Sequence, residues 1–367
     1  MSQPLRLPAG IEDVDTAWLQ QAISADGRTA SVLASFSAEA LEEDALSASS
    51  VYRLRLVYKE GPASPASVVL KLGGPRQAGP LAQFNTQMYQ LEVEFYRAFA
   101  GTRTVPMPAL YFGASSPEDG RMALLIEDLA ARDGGYVGSG RMTASEGDAR
   151  MALLALGRMH AAWWGAPGLA RYPWLRTIKG TLKSLLPALT DDDRKAVPKF
   201  MERMGDLVPQ ALRPVVERMP HWLERVWTEA ADEPQTLIHG DCAAKNIYFH
   251  PLSETHPATL FDWALAGTGP ATVDAANFIG QSMSPGTIES SLDSLIDHHY
   301  GVITANTKTR LTADAYQRQF RHAALMRLIP PVGNGSRDVP ARVAHAREIT
   351  PSVCATVLAC GAQELVS

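Results

Sequence analysis

Three apolar runs near the middle of the chain each lead into, or follow, a residue that could do chemistry. Thr236-Leu237-Ile238 leads into His239-Gly240-Asp241, Asn246 precedes Ile247-Tyr248-Phe249, and Thr259-Leu260-Phe261 leads into Asp262. The last two runs read as a hairpin with Ile247 opposite Phe261, Tyr248 opposite Leu260 and Phe249 opposite Thr259. That register sets Asn246 against Asp262 at the open end, with α-carbons about 5 Å apart as cross-strand neighbours are. An amide oxygen and a carboxylate converging there form the small, hard-oxygen ligand set that Mg²⁺ takes alongside phosphate and water. Asp241, on the loop entering the hairpin, can accept the proton of an attacking hydroxyl. Taken singly, these residues are turn formers. As an ordered set they are the constellation of metal-assisted phosphoryl transfer.

Such a set needs elements to position it. Val14 to Ile23 has helical spacing of Trp18, Leu19 and Ile23. Val51 to Tyr58 alternates, with Tyr52, Leu54, Leu56 and Tyr58 on one face and Arg53 and Arg55 on the other. Across the turn residues Gly61, Pro62 and Pro65, Ser67 to Leu72 completes an antiparallel hairpin carrying Lys71. Gln83 to Ala100 reads as a helix and Met122 to Ile126 as an apolar strand. Beyond Asp133-Gly134-Gly135 the pattern turns helical: Ser145 to Trp164, a helix start at Thr190-Asp191 continuing through Pro198 to Ala231, and Ala313 to Leu328. The expected fold is α+β, with a mainly antiparallel lobe over residues 1–127, a hinge near 127–135 and a larger helical lobe over 128–367.

Composition narrows the function classes. The 367 residues carry a net charge of −5, too little positive field to hold nucleic acid. Cys242, Cys354 and Cys360 are too scattered for a disulfide framework or zinc site. No basic start is followed by an apolar run, and the most apolar stretch, Met151 to Gly165, is too short to span a bilayer. A cytoplasmic location is the expectation. No P-loop pattern occurs.

The run from His239 through Asp241 to Asn246 resembles the HGDxxxxN motif of the aminoglycoside phosphotransferase and choline-kinase-like superfamily, and Asp262-Trp263 resembles its metal-binding element. The ecdysteroid-kinase-like branch is the nearest in flavour. Ser64 to Lys71, Glu92 to Arg97, Leu124 to Leu129 and Leu156 to Ala161 extend the resemblance over about residues 14–280. It implies a two-lobed, protein-kinase-like fold and an ATP- and Mg²⁺-dependent kinase of a small-molecule hydroxyl. It further implies that Lys71 contacts the nucleotide phosphates and that Glu92, rather than Glu94, fixes Lys71. Residues Glu127 to Leu129 become the hinge that bonds adenine through its backbone, with Asn246 and Asp262 as metal ligands. In this scheme Asp241 is the base and His239 holds its loop, while Asp274, in Thr272 to Ala276, is structural.

One departure concerns the phosphate-covering loop, here Ala45 to Ser50, which has no glycine. Ser49 and Ser50 offer hydroxyl donors in its place. That departure leaves a catalytically inactive nucleotide-binding scaffold as the reading from another class. Five of the seven tryptophans, Trp163, Trp164, Trp174, Trp222 and Trp227, fall in the helical insertion before His239, and residues 301–350 hold eight Lys or Arg against three Asp or Glu. The Asp191-Asp192-Asp193 run reads as a solvated helix start. A polycationic antibiotic or choline would seek a carboxylate-rich cleft, so the balance favours a neutral or apolar acceptor over an aminoglycoside- or choline-type substrate.

Overall fold

The computed structural model describes residues 5–25, 31–41, 49–60, 65–74, 80–132, 134–139 and 142–366. The chain divides into two compact units. Met1–Gly135 with Phe261–Leu265 forms the first, and Tyr136–Leu260 with Ala266–Ser367 the second.

The first unit opens with helix α1 (Thr16–Ser24), capped by Asp15, whose side chain accepts the Trp18 N–H. Strands β1 (Leu33–Ala40), β2 (Ser49–Tyr58), β3 (Ser67–Gly73), β4 (Leu110–Ser116) and β5 (Arg121–Glu127) make an antiparallel sheet in the order β1-β2-β3-β5-β4. The alternation along β2 and β3 buries Leu54, Leu56, Val68, Leu70 and Leu72 against Trp18, Leu19 and Ile23 of α1. Helix α2 (Pro80–Phe99) packs on β4 and β5 and buries Val93, Phe95, Tyr96 and Phe99. The β2–β3 register sets Ser49 opposite Gly73, Ser50 opposite Leu72 and Val51 opposite Lys71. Ala45 to Ala48, the turn residues Gly61 and Pro62, and Asp133 lie outside the described residues.

The second unit is built on helices: α3 (Glu146–Ala162), α4 (Ile178–Met204), α5 (Arg213–Glu217), α6 (Met219–Asp232), α7 (Thr272–Ser282), α8 (Pro285–Asn306), α9 (Ala313–Met326), α10 (Ile329–Gly335) and α11 (Pro340–Ala359). Ser145 and Asp148 close a reciprocal capping box on α3. Two three-stranded sheets are set among these helices. One has the order β10-β9-β6 (β6, Tyr136–Val137; β9, Ile247–Phe249; β10, Ala258–Leu260). The other has the order β7-β11-β8 (β7, Arg176–Thr177; β8, Thr236–Ile238; β11, Gly267–Gly269). Among the described residues, no helix is long and apolar enough to cross a membrane.

Two expectations are corrected. The β9–β10 hairpin forms one residue out of the expected register: Ile247 pairs with Leu260, Tyr248 with Thr259 and Phe249 with Ala258. Asp262 is therefore not the cross-strand neighbour of Asn246. The ladder stops at Leu260, and Asp262 adopts a left-handed φ of +64° that no strand residue has. The helix expected to start at Thr190 is instead the second half of α4, which runs unbroken from Ile178 through Pro187 and Pro198 to Met204. The side chains of Asp191 to Asp193 lie outside the described residues.

Candidate active site

In the first unit, Lys71 of β3 reaches Glu92 of α2. Its Nζ lies 3.0 Å from Oε1 and 2.8 Å from Oε2. The same Nζ donates to Asp262 Oδ1 at 2.8 Å. Glu92 is the most deeply enclosed of the three, at 2% side-chain exposure, whereas the Asp262 carboxylate is 41% exposed. Glu94, two residues on, faces solvent and pairs with Arg97. Burial opposes the charge on Lys71, but Asp262 and Glu92 outweigh it and hold the ammonium firmly protonated. Burial pushes Glu92 up, against the pull of Lys71 and with the help of Asp262. Trp263 is fully buried and stacks on Phe95 of α2, tying Asp262 to the helix that carries Glu92.

The segment from Glu127 to Arg132 is braced by its own side chains. Arg132 grips Glu127 through Nε and Nη2, each at 2.7 Å. Asp128 accepts from Arg53 Nε and Ser67 Oγ, both at 2.8 Å, and from the Ala130 N–H at 3.2 Å. Leu129 is buried, and its carbonyl closes a turn with the Arg132 N–H at 3.0 Å. Sequence reasoning passed over the Arg53 and Ser67 braces, because an arginine on the polar face of an alternating strand reads as solvated.

In the second unit, the loop after β8 carries His239, Gly240 and Asp241. Gly240 has φ +83°, a conformation that strains any residue with a Cβ. His239 is fully buried, and its Nδ1 accepts the Asp241 N–H at 3.3 Å. Asp274, near the start of α7, accepts the His239 N–H at 2.7 Å and the Gly240 N–H at 2.9 Å. Its Oδ2 also meets His160 Nε2 of α3 at 3.2 Å. Burial alone would raise the Asp274 carboxyl; His160 and the His239 contacts overcome it and lower the pKa. Asn246 donates through Nδ2 to the Asp241 carbonyl at 3.0 Å, which leaves its Oδ1 as the acceptor atom of that amide. The polar chain goes on behind Asp274, from His160 Nδ1 to His299 Nε2 at 3.1 Å and from His299 Nδ1 to the Tyr316 hydroxyl.

Residues 56–311 match the model of the phosphotransferase enzyme family, well over half the chain. The chain belongs to that family. Among solved structures, it resembles a mutant aminoglycoside 2'-phosphotransferase-IIIa in its GDP complex, at 10% identity and a TM-score of 0.52, over 93% of this chain and 97% of that one. It also resembles spectinomycin phosphotransferase in complex with ADP and spectinomycin, at 11% identity and a TM-score of 0.51, over 89% of this chain and 93% of that one. None of the curated proteins matches the sequence. At these identities the likeness shows the fold, which is the α+β, protein-kinase-like two-lobed class. In this family member the ion triad of Lys71, Glu92 and Asp262 and the loop from His239 to Asn246 fall inside the matched span.

Several neighbours of the loop carry no motif and were missed. Gly138 is one: a Cβ there would come within 2.1 Å of the Ala244 carbonyl oxygen, and its N–H bonds the Ile247 carbonyl at 2.9 Å. Ser282 of α7 accepts the Ala244 N–H at 2.8 Å. Gln281 extends Nε2 to within 3.5 Å of Asp241 Oδ1, a long contact. Cys242 is buried, and burial raises its thiol well above the usual range, so it is no nucleophile. Lys245 is half-buried. Trp222 and Trp227 are core residues whose indole N–H groups donate to the Val215 and Ile178 carbonyls at 2.8 and 2.9 Å.

Proposed function

We propose that this phosphotransferase transfers the γ-phosphoryl group of ATP, with Mg²⁺, to a hydroxyl of a neutral or apolar small molecule in the cytoplasm. The observation that carries the reading is the lysine of β3 held between a buried glutamate and a half-exposed aspartate, an ammonium fixed in position and aimed at anionic ligands. The first unit then clamps the nucleotide, with Lys71 on its phosphates, Glu92 holding Lys71, Ser49 and Ser50 at the phosphate end of β2, and Glu127 to Leu129 beside the base. The second unit receives the acceptor at Asp241.

Asp262 and Asn246 each offer the kind of oxygen a hard cation takes. Asp262 keeps an accessible carboxylate, and Asn246 keeps an amide oxygen once its Nδ2 is spent on the Asp241 carbonyl. Among the described residues no cluster of three or more His, Cys, Asp or Glu could hold a metal ion. When bound, Mg²⁺ would neutralise phosphate charge as it builds. Asp241 takes the hydroxyl proton, the acceptor oxygen bonds the γ-phosphorus, the bond to the β-phosphate oxygen breaks, and ADP leaves. His239 and Asp274 keep Asp241 in place, so catalysis rests on positioning and charge.

The test is transfer from labelled ATP and Mg²⁺ to a panel of sterols, sugars, amino alcohols and antibiotics. Asp241→Asn and Asp262→Asn are expected to lose transfer while melting like the wild type. A near-wild-type rate in either folded variant overturns the mechanism. ATP binding without transfer to any acceptor supports the inactive scaffold instead.

A further inference from the structure

Within the first unit, directly paired residues of the antiparallel sheet share a face, and alternation carries that face along each strand. The registers put Val51 and Arg53 of β2, Ser67, Val69 and Lys71 of β3, and Leu124 and Ile126 of β5 on one face. The opposite face, with Leu54, Val68, Leu70 and Leu125, is the one buried against α1. Asp128 continues the first face one residue past the end of β5, where the extended register sets it opposite Ser67.

There Asp128 is gripped from two strands. Ser67 Oγ donates to its Oδ2 at 2.8 Å. Arg53 crosses over β3 to give Nε to Oδ2 at 2.8 Å and Nη2 to Oδ1 at 3.5 Å. Oδ1 also caps the 3₁₀ turn Leu129–Ala131 through the Ala130 N–H at 3.2 Å. The Asp128 side chain is 4% exposed. From Lys71 back to Ser67 is four residues of strand, about 13 Å. Over that length the face carries Val51 and Val69, both half-buried, and then Ile126.

A buried ion pair gains little net stability over an apolar pair of the same volume. What this one adds is geometry. Strands β2 and β5 are not neighbours in the sheet, since β3 lies between them. Arg53 therefore ties the strand that begins with Ser49 and Ser50 to the turn that follows Glu127, across β3. The result is an apolar strip with a fixed ammonium at one end and a fixed turn at the other. A flat heterocycle suits such a strip, and a phosphate chain running from it meets Lys71.

We propose that Arg53, Ser67 and Asp128 are positioning residues, a clasp that fixes the base end of the nucleotide slot relative to Lys71 at its phosphate end. The inference rests on the nucleotide-binding part of the phosphoryl-transfer reading and divides the affinity in two. The base-dependent part requires the clasp, and the phosphate-dependent part does not.

The test titrates the full chain with ATP and with inorganic tripolyphosphate, each with Mg²⁺, for wild type, Arg53→Met, Asp128→Asn and Lys71→Met. Loss of preorganisation in Arg53→Met and Asp128→Asn is expected to weaken ATP binding by about tenfold and to leave tripolyphosphate unchanged. Lys71→Met is expected to weaken both. The ratio of the two affinities is taken within each protein, so partial unfolding, which lowers both alike, leaves it intact. With an acceptor in hand, the loss falls on KM for ATP and not on kcat. The double variant Arg53→Met/Asp128→Asn is expected to lose no more than either single variant, because each already opens the one clasp. If neither charge variant folds, Ser67→Ala, which removes one bond and keeps the ion pair, must lower the ratio in the same direction. An unchanged ratio in a folded variant overturns the clasp and leaves the kinase reading standing. ATP binding without transfer to any acceptor overturns the kinase reading, while the ratio still decides the clasp. A wild type that binds no ATP overturns both.

Discussion

Phe95 and Trp263 lie ring against ring, with centroids 4.4 Å apart and planes 9° from parallel. The stack joins the helix of Glu92 to the residue next to Asp262, so the two carboxylates that hold Lys71 share one apolar support. Trp263→Ala removes a fully buried indole and leaves a cavity at that joint, at a cost of about 3–5 kcal/mol. Beyond the stability loss, the carboxylate of Asp262 loses its fixed approach to Lys71. Trp263→Phe keeps an aromatic face for Phe95 and should retain most transfer activity. Chemical denaturation and labelled-ATP transfer, measured on both variants, separate the two effects. An alanine variant with wild-type turnover per folded molecule would remove the stack from any positioning role.

Gly138 lies against the short 3₁₀ turn Ala244–Asn246, in the loop that follows Asp241. Adding a methyl group there drives it into the Ala244 carbonyl, a backbone atom that cannot rotate away. Gly138→Ala is therefore expected to displace the turn between Asp241 and Asn246 and to cut transfer at least about tenfold. ATP binding, assigned to the first unit, should change little. Nucleotide titration beside an activity assay checks this, and equal losses in both would place the damage in general unfolding.

What could be read in the sequence follows the strength of local signals. The alternation in β2 and β3, the amphipathic α2 and the apolar β5 are legible because each buries one face in a short-range pattern. Glu92 is set apart from Glu94 in the sequence only by its place before Val93-Glu94-Phe95-Tyr96; in the structure Glu92 is buried alongside Phe95, Tyr96 and Phe99, whereas Glu94 pairs with Arg97 near the surface. The hairpin register was misjudged by one residue because Phe261 looks like a strand residue. Only the left-handed turn at Asp262 shows where the ladder stops. Strand β1 has one buried side chain, Leu33, so alternation hardly registers there. Helix α4 hides behind Pro187, Pro198 and an aspartate run, each a sound local reason to expect a break. The roles of Gly138 and Ser282 have no motif at all, since they arise from what the fold brings next to Asp241 and its loop.

The chain of Tyr316, His299, His160 and Asp274 implies an acid-sensitive core. His299 is fully buried, and burial, followed by the neighbouring His160 and His298, holds its pKa well below 6.5. The unfolded chain takes up a proton at this residue near pH 6.5 and the folded chain does not, so folding is disfavoured as pH falls through that value. Each unit of depression is worth about 1.4 kcal/mol. The stability gap between wild type and His299→Gln should therefore shrink by about 1–2 kcal/mol between pH 7.5 and pH 5. Asp274 adds a second loss below about pH 4: its pKa is depressed in the fold, so its contribution vanishes as the carboxylate protonates. Urea midpoints from pH 7.5 to below about pH 4 test both. A gap that stays constant with pH would mean that His299 titrates alike in the folded and unfolded states.

Removing Lys71 separates charge burial from catalysis. In Lys71→Met the Glu92 carboxylate stays enclosed with no cation within reach, and breaking a buried pair in this way costs about 3–5 kcal/mol. Asp262 suffers less, because its half-exposed carboxylate can take water instead. Burial already raises Glu92 to about 7 against the pull of Lys71, and without that pull it rises further. The folded variant then binds a proton that the unfolded chain, with an ordinary glutamate, releases above about pH 4.5. Stability of Lys71→Met relative to wild type should consequently improve as pH falls from 8 to 5. The double variant Lys71→Met/Glu92→Leu replaces both charges with apolar groups and should recover most of the lost stability at every pH in that range. It should also stay inactive, since the ammonium proposed to meet the nucleotide phosphates is gone. Restored transfer in the double variant would show that Lys71 serves the fold alone.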